Sequence, residues 1–114
     1  MDILDDEVLK RLATDTSRGR FPVLIAAFLK EIEKCTEQLN AAVSERDEGK
    51  VREIAHVLKS VSGTFGATRL YESSTRIEQA AIEEKACHNL ALIDHHSKTV
   101  GDTVLAFTEL NSKS

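Results

Sequence analysis

The stretch Pro22-Val23-Leu24-Ile25-Ala26-Ala27-Phe28-Leu29-Lys30-Glu31-Ile32-Glu33-Lys34-Cys35, continued to Leu39 and Val43, decides the fold. Its apolar residues Ile25, Phe28, Leu29, Ile32, Cys35, Leu39 and Val43 recur every three or four positions, which is the spacing of one helix face. Pro22 suits the first position of such a helix, where its missing N–H leaves nothing unpaired. Asp47-Glu48-Gly49 breaks the pattern, and Asp47 can cap the next helix. The same periodicity continues outward in both directions. Upstream, Val8, Leu9 and Leu12 predict a short helix from about Asp5 to Ala13, with Asp5-Asp6-Glu7 as acids favoured by the dipole of its first turn. Thr14-Asp15-Thr16-Ser17-Arg18-Gly19 reads as the turn between the two. Downstream, Val51, Ile54, Leu58 and Val61 predict a third helix reaching Phe65, and Gly66 fits a left-handed stop. A fourth carries Leu70, Ile77 and Ala81. A fifth, from about His88, carries Ile93, Val100, Val104 and Phe107. The expected architecture is all-α: an antiparallel four-helix bundle with a short additional N-terminal helix, one domain over residues 1–114.

The composition agrees and removes several function classes. One Pro and five Gly in 114 residues leave little punctuation for an all-β fold. With 15 Lys+Arg against 19 Asp+Glu, the net charge of -4 offers no basic face for nucleic acid. No run of about 18 apolar residues would span a membrane. The acidic start Met1-Asp2-Ile3-Leu4-Asp5-Asp6 does not resemble a secretory signal, so a cytoplasmic protein is expected. Cys35 and Cys87 form no CxxC and read as reduced thiols.

Among the four histidines, His56 stands apart. At about 100° per residue, Gly49, Arg52, Lys59, Ser60 and Gly63 fall within about 60° of it, while Ile54, Leu58, Val61 and Phe65 lie on the opposite side. His56 is therefore off the apolar stripe of its helix and projects into solvent. Lys59 is one turn away on the same face. Its charge opposes a second one on the ring, keeping a ring nitrogen free as nucleophile, and can neutralise an anion attached there. Gly63, two turns on, has no side chain to obstruct the approach of another protein. A glycine inside a helix costs about 0.5–1 kcal/mol relative to alanine, so its presence asks for a reason. There is no GxxxxGKS/T, GxGxxG or kinase-type Gly-rich loop, so no nucleotide site accompanies the histidine, and a phosphoryl donor would have to be another protein. Asp94-His95-His96 looks like a ligand cluster, but adjacent helix residues do not share a face, and neither HxxxH nor HExxH occurs. These histidines are expected at the surface, with no metal.

The segment Ala55-His56-Val57-Leu58-Lys59-Ser60-Val61-Ser62-Gly63-Thr64-Phe65-Gly66-Ala67 resembles the signature of histidine-containing phosphotransfer (HPt) domains. That signature has an acceptor His, Lys at plus three, a small residue at plus six, Gly at plus seven, an apolar residue at plus nine, then Gly and a small residue. His56, Lys59, Ser62, Gly63, Phe65, Gly66 and Ala67 match it position by position, and Leu70, Ile77 and Glu78 suit the family's next helix. Two departures stand out. Ser60 replaces the usual Gly after the lysine, which narrows side-chain access near the histidine. Ser73-Ser74 replaces a common Leu-Cys, which is expected to affect packing only. Lys59-Ser60 and Phe65-Gly66-Ala67-Thr68-Arg69-Leu70 are also similar to the LuxU-type branch, small free-standing phosphorelay proteins of bacterial quorum sensing.

The resemblance implies a phosphocarrier rather than an enzyme. His56 would accept a phosphoryl group from the receiver-domain aspartate of a hybrid sensor kinase. It would pass the group reversibly to the aspartate of a downstream response regulator. Lys59 would stabilise the phosphoryl group, and Arg52, Ser60 and Gly63 would dock the partner. No cofactor is implied, the magnesium ion being supplied by the receiver, and the carrier is expected to act as a monomer. Ser62, Phe65 and Ala67 are read as packing residues. A helical scaffold that binds a receiver or kinase without carrying phosphate is the rival reading.

Overall fold

The computed structural model describes residues 2–15 and 20–112. Five helices account for their regular structure: α1 (Asp6–Asp15), α2 (Arg20–Ser44), α3 (Glu48–Phe65), α4 (Thr68–Ile82) and α5 (Leu90–Ser112). Helices α2 to α5 each pack on their neighbour in the chain, and α2 against α5 closes the ring, while α1 rests on α3. This is the expected four-helix bundle with an added N-terminal helix, about twice as long as it is wide at 43 × 24 × 20 Å.

Local chemistry sets the ends of α3, the helix that carries the site. Asp47 Oδ1 accepts a hydrogen bond from Lys50 N at 3.1 Å, satisfying one of the N–H groups that a helix start leaves open. At the other end Gly66 is left-handed, with φ 71° and ψ 25°. Its N–H bonds Gly63 O, and Ala67 N bonds Ser62 O at 2.9 Å. A Cβ on Gly66 would also stand 3.1 Å from both Asp5 O and Val8 Cβ. The reason for that crowding is the N-terminal segment, which is strapped across the α3–α4 turn. Asp5 N donates to Gly66 O at 2.7 Å and Thr68 N to Ile3 O at 3.1 Å, giving an isolated bridge between Leu4 and Ala67.

The stripe of α2 is the spine of the core. Its upper half joins Leu9, Leu70, Val100 and Phe107, with Phe65 stacked on Phe28 at 4.4 Å between ring centroids. Its lower half, Cys35, Leu39 and Ala42, joins Val51, Ile54, Ala55 and Leu58 of α3 and Ile77 and Ala81 of α4. Burial raises both thiols to about 11, with Glu31 beside Cys35 and Glu48 beside Cys87 adding to it. Both cysteines are free, buried packing residues, held as thiols and not thiolates.

Three expectations need correction. Thr14 and Asp15 continue α1 instead of turning, with Thr14 Oγ1 bonded back to Lys10 O; the rest of the predicted turn lies outside the described residues. The fifth helix begins at Leu90, because Asn89 Oδ1 caps it by accepting from Leu92 N at 3.1 Å. His96 is not at the surface. It is 3% exposed, because it shares a face of α5 with Val100, Thr103 and Phe107. Its Nδ1 lies 2.6 Å from Ser73 Oγ, so Ser73 does more than fill space.

Candidate functional site

α3 buries Val51, Ile54, Ala55, Leu58 and Ser62 and turns the intervening residues outward. Arg52, His56, Ser60 and Gly63 are exposed along that outer face, and Lys59 is half-covered. All five thus lie on the outer face that helical spacing gives them. The His56 side chain is 60% exposed. Beside it a shallow recess is lined by Gly49, Arg52, Glu53, His56 and Glu78.

Glu78, on α4, organises the arrangement. One of its carboxylate oxygens, Oε2, lies 2.7 Å from His56 Nδ1, and the other, Oε1, accepts from Lys59 Nζ at 2.7 Å. The Lys59 hydrogen bond, helped by His56, holds the Glu78 carboxyl below its usual range and keeps it ionised. Reciprocally, the bond to Glu78 holds the Lys59 ammonium above its usual range. An ionised carboxylate can only accept, so His56 Nδ1 must carry the proton. In the neutral ring the lone pair then sits on Nε2, the nitrogen farther from the helix. The sequence reading assigned the free nitrogen to repulsion from Lys59. In the structure Lys59 is tied to Glu78, and the carboxylate selects the tautomer.

Position in the α3–α4 hairpin explains this meeting. His56 stands ten residues before Gly66 and Glu78 eleven residues after Ala67, so an antiparallel pair turning there brings them side by side. Gly63 and Tyr71, three before and four after, are matched in the same way, and the Tyr71 ring edge lies 3.4 Å from where a Gly63 Cβ would stand. Ser62, Phe65 and Ala67 pack as expected, with Ser62 and Ala67 fully buried. Among the described residues no group of three His, Cys, Asp or Glu side chains could hold a metal ion, and no helix is long and apolar enough to cross a membrane.

The site is thus an exposed imidazole with its tautomer fixed, a cation alongside and a helical bundle beneath. Residues 23–102 match the Hpt domain family, and the chain belongs to it. It is a histidine phosphotransfer protein of two-component signalling, and its relatives include phosphorelay proteins. It is 30% identical over 80 residues to the phosphorelay protein LuxU of Vibrio harveyi, a match covering 70% of each chain. LuxU of Vibrio vulnificus is 28% identical over 103 residues, 87% of this chain and 90% of the relative. The crystal structure of histidine-containing phosphotransfer protein B (HptB) from Pseudomonas aeruginosa superposes with a TM-score of 0.89 at 26% identity, over 98% of this chain and 96% of that one.

Proposed function

We propose that this chain is a phosphorelay intermediate with His56 as the phosphoacceptor. The supporting observation is that His56 Nδ1 is held by Glu78 while the rest of the ring faces solvent. His56 Nε2 attacks the phosphorus of an aspartyl phosphate on a receiver domain. The N–P bond forms, the P–O bond to the aspartate breaks, and its electron pair returns to the carboxylate. The positive charge that develops on the ring faces the Glu78 carboxylate. Lys59 uses one of three N–H donors on Glu78, which leaves two for phosphoryl oxygens. Such transfer rests on positioning and charge neutralisation, with magnesium on the receiver. Arg52, Ser60 and Gly63 lie on the surface a receiver would cover. The donor is the receiver of a hybrid sensor kinase and the acceptor that of a downstream response regulator. The LuxU-type resemblance supports a quorum-sensing pathway.

The test is labelling. Mixed with a phosphorylated receiver, the protein should acquire an acid-labile, alkali-stable phosphoryl group. His56→Gln should fold normally and acquire none, while changes at His88 and His95 leave labelling intact. Label persisting on His56→Gln refutes the assignment.

A further inference from the structure

The large apolar side chains left exposed include one aromatic, Tyr71, which is 44% exposed and the chain's single tyrosine. It stands on α4 beside the phosphotransfer face, and its ring lies against Gly63, with Cδ2 and Cε2 at 3.4 and 3.5 Å from a Cβ position there. Those distances are ordinary contact for a Cβ, so the space between Gly63 and the ring would take a methyl group and nothing larger. The ring thus stands over the Gly63 position with nearly half its surface open.

A protein partner must reach this ring. To bring a phosphoryl group onto His56, a receiver has to cover the surface around the imidazole. A specific interface occupies about 800 Å² per partner, a disc about 16 Å in radius. Gly63 lies seven residues from His56 along one helix, about 10 Å, well inside that footprint. Tyrosine brings a large amphipathic area at low conformational cost and is enriched among residues that dominate binding energy.

We propose that Tyr71 is the aromatic anchor by which a receiver domain docks, and that Gly63 serves by keeping a larger side chain out of the ring's place. The inference deepens the phosphorelay reading and rests on it. It also changes the role of Gly63, which leaves room for the ring instead of merely clearing a path.

The experiment separates chemistry from docking. The unaltered protein, Tyr71→Ala, Tyr71→Phe and Gly63→Leu are first phosphorylated with phosphoramidate, a donor too small to need a docking surface. Transfer from each is then measured to a panel of purified receiver domains from the same genome, as kcat and KM. Tyr71→Ala should load from phosphoramidate at the unaltered rate, keep kcat, and raise KM for the preferred receiver about tenfold. Tyr71→Phe should restore KM, because the ring and not the hydroxyl carries the contact. Gly63→Leu should behave as Tyr71→Ala, by displacing the ring from its place. A KM for Tyr71→Ala within about twofold of the unaltered protein's overturns the proposal. So does slower phosphoramidate loading, which would put Tyr71 in the chemistry. If the unaltered protein loads but transfers to no receiver, the phosphorelay reading itself falls, and the docking role with it.

Discussion

His96 should make the bundle acid-sensitive. The imidazole is 3% exposed, with Nδ1 on Ser73 Oγ and no hydrogen-bond partner for Nε2 among the described residues. Burial, helped by the neighbouring His95, pushes it down from 6.5 to about 4. The folded state therefore binds fewer protons than the unfolded one between those values. The contribution is fully present above pH 6.5 and is lost as the pH falls toward 4. At pH 5 an unfolded imidazole is protonated about 30 to 1 and the folded one about 1 to 10, which costs about 2 kcal/mol relative to the neutral protein. For a urea m-value of about 2 kcal/mol/M, the unfolding midpoint should drop by about 1 M between pH 7 and pH 5 from this group alone. Other groups contribute to the pH dependence as well, so the measurement is a difference. His96→Gln offers Ser73 a polar neighbour but does not titrate. Urea unfolding of both proteins at pH 7, 6 and 5 should show the unaltered protein losing about 2 kcal/mol more than the variant. Parallel pH dependence in the two would refute the reasoning.

Further outcomes concern the site and its helix ends. Glu78→Ala frees the His56 tautomer and should slow phosphoramidate loading about tenfold, comparable to loss of a group that orients a reactive histidine; loading at the unaltered rate would count against it. Lys59→Ala should shorten the lifetime of the phosphohistidine, read by loss of label over time, with a melting temperature close to the unaltered protein's, since Glu78 keeps its contact with His56 when the ammonium is lost. Gly66→Ala should destabilise by at least about 1–2 kcal/mol in urea, because φ 71° disfavours a side chain and the strap leaves no room for one. Gly63→Ala, helical and meeting only the Tyr71 ring, should be neutral or stabilising by about 0.4–1 kcal/mol.

Periodicity made the helices legible, since an apolar spacing of three and four permits few other folds. Asp47 and Gly66 were legible for a sharper reason: a cap and a left-handed stop each demand particular residue chemistry. His56, Lys59, Arg52, Ser60 and Gly63 could be placed on one face because they share one helix. Glu78 could not be found that way. Its position is fixed by α4 against α3, and helical angles stop at the helix end. Counting outward from the Gly66 turn would have brought it to His56, and Tyr71 to Gly63. His96 was misread for a different reason. His96 lies on the Val100–Phe107 face of α5, although its neighbours Asp94 and His95 give the triplet a polar look. A histidine there is held by burial and by a serine from another helix, neither of which shows in a local window.

The double grip of Glu78 also makes the reactive geometry a gauge of assembly. His56 and Lys59 belong to α3 and their shared carboxylate to α4, each contact at 2.7 Å. A slip of α4 by one turn displaces that carboxylate by about 5.4 Å along the helix, enough to carry both contacts beyond hydrogen-bond range. A chain still being synthesised, or one whose bundle has loosened, has the histidine without the fixed tautomer. Such a chain lacks the contact that holds the His56 Nδ1 proton, so the carboxylate that fixes the tautomer also registers whether α4 is seated on α3.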